Sequence, residues 1–278
     1  MNKATEENID AKKMRGGYYT PQPIADFICN WAITKPTNKI LEPSCGDGNF
    51  IEAAIKRLLA LGVPQNQLFG LVKGIELVDI EADKSKKRAA AYGLNSTTIV
   101  NKDFFTYLTE RSTDAPLYDV VIGNPPFIRY QNFPEAHRAL AIKMMENLGL
   151  SPNKLTNIWV PFLVLSANIL TKYGKLGMVI PAELFQVKYA AETRIFLSNF
   201  FSRVTIVTFK KLVFYDIQQE VVLLLCEKSV SANPGIRVVE LNSLADLETL
   251  NVRSIQQLPV KTLEHNSEKW TKYFSGGG

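Results

Sequence analysis

The stretch from Lys39 to Leu59 restricts the possible folds of this chain more than any other. Lys39-Ile40-Leu41-Glu42 reads as a short apolar strand and Pro43-Ser44-Cys45-Gly46-Asp47-Gly48 as a glycine turn. Asn49 opens a helix with a stripe of Ile51, Ala54, Ile55, Leu58 and Leu59. Strand, glycine turn and helix in this order begin a doubly wound α/β sheet, where ligands bind outside the carboxyl ends of the strands. The third glycine of a dinucleotide fingerprint is missing, because Ile51 stands in its place. Glu42 at the strand end also disfavours a phosphate and suits a ligand that carries positive charge.

The pattern repeats downstream. A second strand, Leu71 to Leu77, carries Glu76 near its carboxyl end, where a carboxylate can accept both hydroxyls of a ribose. A third, Thr97 to Val100, leads to Asp103 and Phe104, an acceptor for a ring amino group beside an aromatic that can cover the ring. The fourth, Tyr118-Asp119-Val120-Val121-Ile122-Gly123, stops at Asn124-Pro125-Pro126-Phe127. Neither proline has an N–H to donate to a ladder, so the chain must leave the sheet at Asn124. Each proline also biases the residue before it away from helix, holding the turn stiff and extended. The Asn124 side-chain oxygen and the Pro125 carbonyl are then two fixed acceptors, with the Phe127 ring next door. They suit a planar NH2 group: accepting both N–H bonds favours a more tetrahedral nitrogen whose lone pair can attack.

Before the glycine turn, Gly16-Gly17-Tyr18-Tyr19-Thr20-Pro21 precedes Ile24, Phe27, Ile28 and Trp31 at helical spacing. Thr20 is placed to cap this helix and Pro21 fits its first turn. The paired glycines allow close backbone approach to a ligand, and the tyrosines set a ring beside it.

Further along, Ile128 to Asn157 reads as an irregular polar segment next to the reaction centre, in the manner of a mobile substrate clamp. His137 within it has no visible partner. A helix is expected over Trp159 to Tyr173, a strand over Leu176 to Ile180, a helix over Ala190 to Phe200, and a closing hairpin of Val204 to Phe209 with Val221 to Cys226. Lys84, Lys86, Lys87 and Arg88 read as a solvated helix face.

Composition bounds the rest. With 278 residues, 46% apolar, the chain can bury one large core, or one core and a small appendage. Cys29, Cys45 and Cys226 show no CxxC spacing and there are two histidines, so no disulfide framework or metal site is expected. Residues 1–15 form a polar arm without a signal peptide or membrane span, which makes a cytoplasmic location the expectation and a membrane partner unexpected. A net charge of +5 permits a nucleic-acid partner without demanding one.

Taken together, the Tyr19-Thr20-Pro21 segment, the glycine turn, the two acids and Asn124-Pro125-Pro126-Phe127, in this order, resemble the class I S-adenosylmethionine-dependent methyltransferases that act on adenine N6 in DNA. The arrangement is similar to the gamma group, the TaqI-like enzymes of restriction-modification systems, from about Gly16 to Lys228. The resemblance implies a Rossmann-like α/β fold: a seven-stranded, mostly parallel sheet with an antiparallel last strand and helices on both faces. It implies that Tyr19, Thr20, Glu42, Ser44, Gly46, Gly48, Glu76, Asp103, Phe104 and Asn124 bind S-adenosyl-L-methionine. Asn124, Pro125 and Phe127 would act on the target base, which Tyr18, Phe127 and, at the hairpin tip, Phe214 would hold. Residues 16–230 would be the catalytic domain, and 231–278 a linker and the beginning of a C-terminal target-recognition region missing from this chain. Expected partners are DNA, a separate or deleted specificity domain and a cognate restriction endonuclease. The alternatives are transfer to another NH2 group, of an RNA base or a protein glutamine, or a silent nucleic-acid-binding module.

Overall fold

A computed structural model describes residues 19–153, 155–185, 187–211, 220–263 and 269–274. Among the described residues, eight strands form one sheet: β1 (Ile40–Glu42), β2 (Val72–Glu76), β3 (Ile99–Asn101), β4 (Tyr118–Gly123), β5 (Leu170–Pro181), β6 (Arg203–Lys211), β7 (Val221–Glu227) and β8 (Gly235–Ser243). Their spatial order is β3-β2-β1-β4-β5-β7-β6-β8. β1 to β5 pair in parallel, β7 is antiparallel to both β5 and β6, and β8 is parallel to β6. This is the class I methyltransferase sheet with an eighth strand added. The strand order reverses between β1 and β4, and a crevice opens at such a switch point.

Eight α-helices are present among the described residues: α1 (Gln22–Ala32), α2 (Asn49–Ala60), α3 (Asp79–Ala90), α4 (Phe104–Glu110), α5 (Glu135–Asn147), α6 (Trp159–Ala167), α7 (Ala191–Phe200) and α8 (Val252–Gln256). The sheet separates two cores. Ile40, Val120 and Ile122 pack with Ile24, Phe27, Phe50, Ile55 and Ala82 of α1 to α3. Leu41, Ile75 and Val121, which point the other way by strand alternation, pack with Phe105, Met145, Trp159 and Leu197 of α4 to α7. Strands buried on both faces read as unbroken apolar runs, as Val120-Val121-Ile122 does.

Three expectations shift. Residues 235–243, in a stretch expected to be linker but carrying a strand-like run at Arg237 to Leu241, join the sheet as β8: Ile236 and Val239 are buried, and β6 offers its open edge in register from Arg203↔Gly235 onwards. The helix expected to Tyr173 ends at Ala167, and β5 starts at Leu170. An apolar run with no polar face carries no period to separate helix from strand, so that boundary was invisible. The segment 128–157, expected to be irregular, contains the 13-residue helix α5 and is closed at its base by a bridge between Arg129 and Asn157.

Candidate active site

Three strands that meet at the switch point deliver the expected side chains to one place. β1 ends on Glu42, β2 on Glu76, and β4 on Gly123 immediately before Asn124. With Tyr19, Thr20, Ser44, Gly46, Asp47, Asn49 and Phe50 they line a small cavity.

Glu42 is 1% exposed and its Oε1 accepts the Ser44 N–H at 2.8 Å. Burial pushes its carboxyl well above the usual carboxylate range, against the pull of that N–H. Glu76 accepts the N–H of Gly46 at 2.9 Å and of Val78 at 3.2 Å. Burial is the larger influence there too, and its pKa is pushed up to about 7. Two acids held in low dielectric favour a ligand whose positive charge makes ionisation favourable again.

The turn between β1 and α2 is built on glycine. Gly46 and Gly48 have φ of +53° and +97°. At Gly48 a Cβ would meet Ser85 and Arg88 at 3.1 Å, so both conformation and space require glycine there. The turn is braced from α3, where the Ser85 hydroxyl donates to the Gly46 carbonyl at 2.7 Å. Arg88 reaches Asn49 Oδ1 at 2.8 Å and Asp47 Oδ2 at 3.3 Å. Arg88 is therefore part of the frame of the site and not of a solvated face.

Thr20 does not cap α1, because Pro21 stands at the N-cap with no side-chain cap bond. Its hydroxyl accepts the Asn124 amide N–H at 3.0 Å, and its carbonyl accepts from Asn49 Nδ2 at 2.8 Å. The Asn124 amide is thereby oriented across 104 residues, its nitrogen on Thr20. Gly123 is crowded: a Cβ would lie 2.5 Å from Glu42 Oε1. Pro125 is buried, and Phe127 is half-buried where the two cores meet.

Asp103 and Phe104 are not brought into this cavity. Asp103 caps α4, accepting from the Thr106 N–H at 2.8 Å, and faces His137 Nδ1 at 3.4 Å. Its other oxygen is buried without a hydrogen bond. Phe104 is 2% exposed and stacks on Phe162 with ring centroids 5.3 Å apart. Tyr18 and Phe214 lie outside the described residues. Reading the sequence missed Asp47, Asn49, Glu81, Ser85 and Arg88. Only Asp47 and Asn49 carried a signal, by standing in the glycine turn itself. Among the described residues no group of three or more His, Cys, Asp or Glu could hold a metal ion, and no helix is long and apolar enough to cross a membrane.

Comparison with known proteins agrees with this geometry. The sequence profile of the Eco57I restriction-modification methylase family matches residues 63–214. The type II methyltransferase M.BstVI of Geobacillus stearothermophilus is 28% identical over 213 residues, which cover 67% of this chain and 37% of that protein. The DrdV protein of a DrdV–DNA complex superposes with a TM-score of 0.74 at 15% identity over 98% of this chain and 32% of its own. The EcoKI M protein, of a type I restriction enzyme, gives 0.60 at 17% identity, covering 94% of this chain and 54% of its own. The chain thus spans well under two-thirds of the length of each.

Proposed function

We propose a function from the premise that this chain belongs to the Eco57I restriction-modification methylase family. It transfers a methyl group from S-adenosylmethionine to the N6 amino group of an adenine extruded from DNA, as the modification activity of a restriction-modification system, in the cytoplasm. The observation that carries the reading is the Asn124 amide, pinned by Thr20 at the end of β4, beside a cavity lined by the buried acids Glu42 and Glu76.

The cavity fits the methyl donor chemically. Its acids match a cationic ligand with an ammonium group and ribose hydroxyls, and the glycine turn lets backbone approach it. When bound, S-adenosylmethionine supplies an electrophilic methyl group on a sulfonium, so the protein's share is orientation and polarisation. Glu76 accepts from ribose hydroxyls, and Glu42 faces the ammonium end. With its nitrogen held by Thr20, the Asn124 side chain presents its oxygen as acceptor for one adenine N–H, and the Pro125 carbonyl accepts the other. The lone pair of N6 is thereby freed from the ring for attack. The methylated nitrogen loses its proton readily, so no strong base is required. Phe127 stacks on the extruded base, as aromatic side chains do on flipped nucleotides. Asp103, Phe104, Tyr18 and Phe214 keep their proposed roles toward adenine rings, the first two requiring a rearrangement around α4.

M.BstVI is longer than the stretch matched. The reading accordingly assigns target recognition, and any cognate nuclease, to sequence beyond the matched stretch or to partner chains. Calorimetric titration with S-adenosylmethionine and, separately, NADH tests the ligand. Binding of the methyl donor alone is expected. Transfer of labelled methyl to DNA, with N6-methyladenine identified by mass spectrometry, tests the acceptor; label appearing in RNA or protein instead would overturn it.

A further inference from the structure

Tyr19 lines the cavity and is still 38% exposed, so its ring stands at the mouth. A flexible entry segment would leave such a ring mobile, yet its hydroxyl is tied down. It donates to Glu81 Oε1 at 2.9 Å and lies 3.1 Å from Oε2. Lys84 Nζ completes a triangle, 3.2 Å from the Tyr19 oxygen and 3.2 Å from Glu81 Oε1, and lies 5.7 Å from the Tyr19 ring centroid. Glu81 is 1% exposed although it sits in the first turn of α3, a largely polar helix. A carboxylate is buried there only with strong partners, because an unpaired buried charge is costly. The next residue is anchored as well: Asn49 holds the Thr20 carbonyl and Asn124 holds its hydroxyl. Residues 19 and 20 are therefore tied to α3, to the start of α2 and to the end of β4, across one opening.

We propose that Glu81 and Lys84 are positioning residues that clasp Tyr19 over the cavity, making residues 19–20 a strap that closes on the bound methyl donor and sets its residence time. The proposal rests on the methyl-donor reading above. Glu81 acts through Tyr19 and touches neither the donor nor the base. A clasp made after entry slows dissociation and leaves association nearly unchanged, the usual pattern when contacts close over a ligand.

The test is rapid-mixing displacement of S-adenosylmethionine and of S-adenosylhomocysteine from the full chain and from Tyr19→Phe, Glu81→Gln and Lys84→Met. Tyr19→Phe removes one hydroxyl at a rim position and keeps the ring. It is expected to release both ligands roughly tenfold faster, the loss of one charge-assisted hydrogen bond discounted for partial exposure. Glu81→Gln should do the same and Lys84→Met somewhat less, with association rates within about twofold of the parent. The Tyr19→Phe/Glu81→Gln double variant should release no faster than either single, because both remove the same clasp. Parental release from Tyr19→Phe, or additive effects in the double variant, would overturn the strap while leaving the methyl-donor reading in place. A Glu81→Gln protein that melts earlier while Tyr19→Phe releases normally would show Glu81 to be only structural, which also overturns the strap. If the parent chain binds neither ligand, the methyl-donor reading fails and the strap falls with it.

Discussion

The same three strands carry opposite charge at their two ends. Where β1, β2 and β4 finish, Glu42 and Glu76 are buried and Asn124 is pinned, around a small cavity. Where they start, Lys39, Lys73 and Arg111 line an open cleft with Tyr107 and Tyr118. The basic end settles its charges without a ligand. Arg111 donates to the Pro116 carbonyl at 2.9 Å and lies 5.9 and 5.5 Å from the Tyr107 and Tyr118 rings. The acidic end cannot do so, since desolvation raises the pKa of both carboxyls. Charge alone does not mark a functional edge; charge that burial has made unfavourable does.

The largest effect is expected at the acidic end, at Asn124. Asn124→Ala is expected to lower methyl transfer to DNA by roughly a thousandfold, the scale seen when one group that stabilises a transition state is removed. Cofactor affinity by calorimetry should fall far less than transfer does, and equal loss of both would make Asn124 structural. Gly123→Ala forces a methyl group against Glu42 and should reduce stability by about 1–3 kcal/mol in urea unfolding. Unchanged stability would show that Glu42 has room to move.

Glu76 makes the acidic end sensitive to pH. Its folded pKa of about 7 lies above the ordinary 4.5, so the folded chain holds a proton that the unfolded chain has released. The stability this group contributes is present below about 4.5 and is lost as pH rises through 7. Ligand binding runs the other way, because a ribose and a cationic donor need the ionised form. Affinity for S-adenosylmethionine should therefore rise roughly tenfold from pH 6 to pH 8, following the ionised fraction. Glu76→Gln should bind roughly tenfold more weakly at pH 8, and its affinity should vary less with pH in that range than the parent's. The smallest effect is expected at the basic end. Lys39→Met and Lys73→Met should change stability by less than about 0.5 kcal/mol and leave cofactor affinity at the parental value. A large loss in either would give the basic cleft a role that burial does not reveal.

Much of the site is legible in the amino-acid sequence. Glu42, Glu76 and Asn124 were legible because each sits at the last turn of an apolar run, and the doubly wound fold carries such positions to one edge. Thr20 was found for the wrong reason. Its place before Pro21 reads as a helix cap, whereas its hydroxyl is used by Asn124, 104 residues away. His137 looked solitary because its partner Asp103 is on another helix. Arg88 looked like one more charge in a basic run, since nothing local tells a cation facing water from one facing Asp47. The helix over 135–147 is hard to see in the sequence because its apolar positions form no single stripe; only Ala141 and Met145 are buried.

Local chemistry along the chain determined where strands end, which turn demands glycine and which residues carry acceptors, because each of these depends on neighbours within a few positions. What faces what is set by packing across the fold: Thr20 on Asn124, Glu81 on Tyr19, Arg88 on the glycine turn, Asp103 on His137. The same packing strips two carboxylates at strand ends of water, and desolvation is set by everything packed around a group.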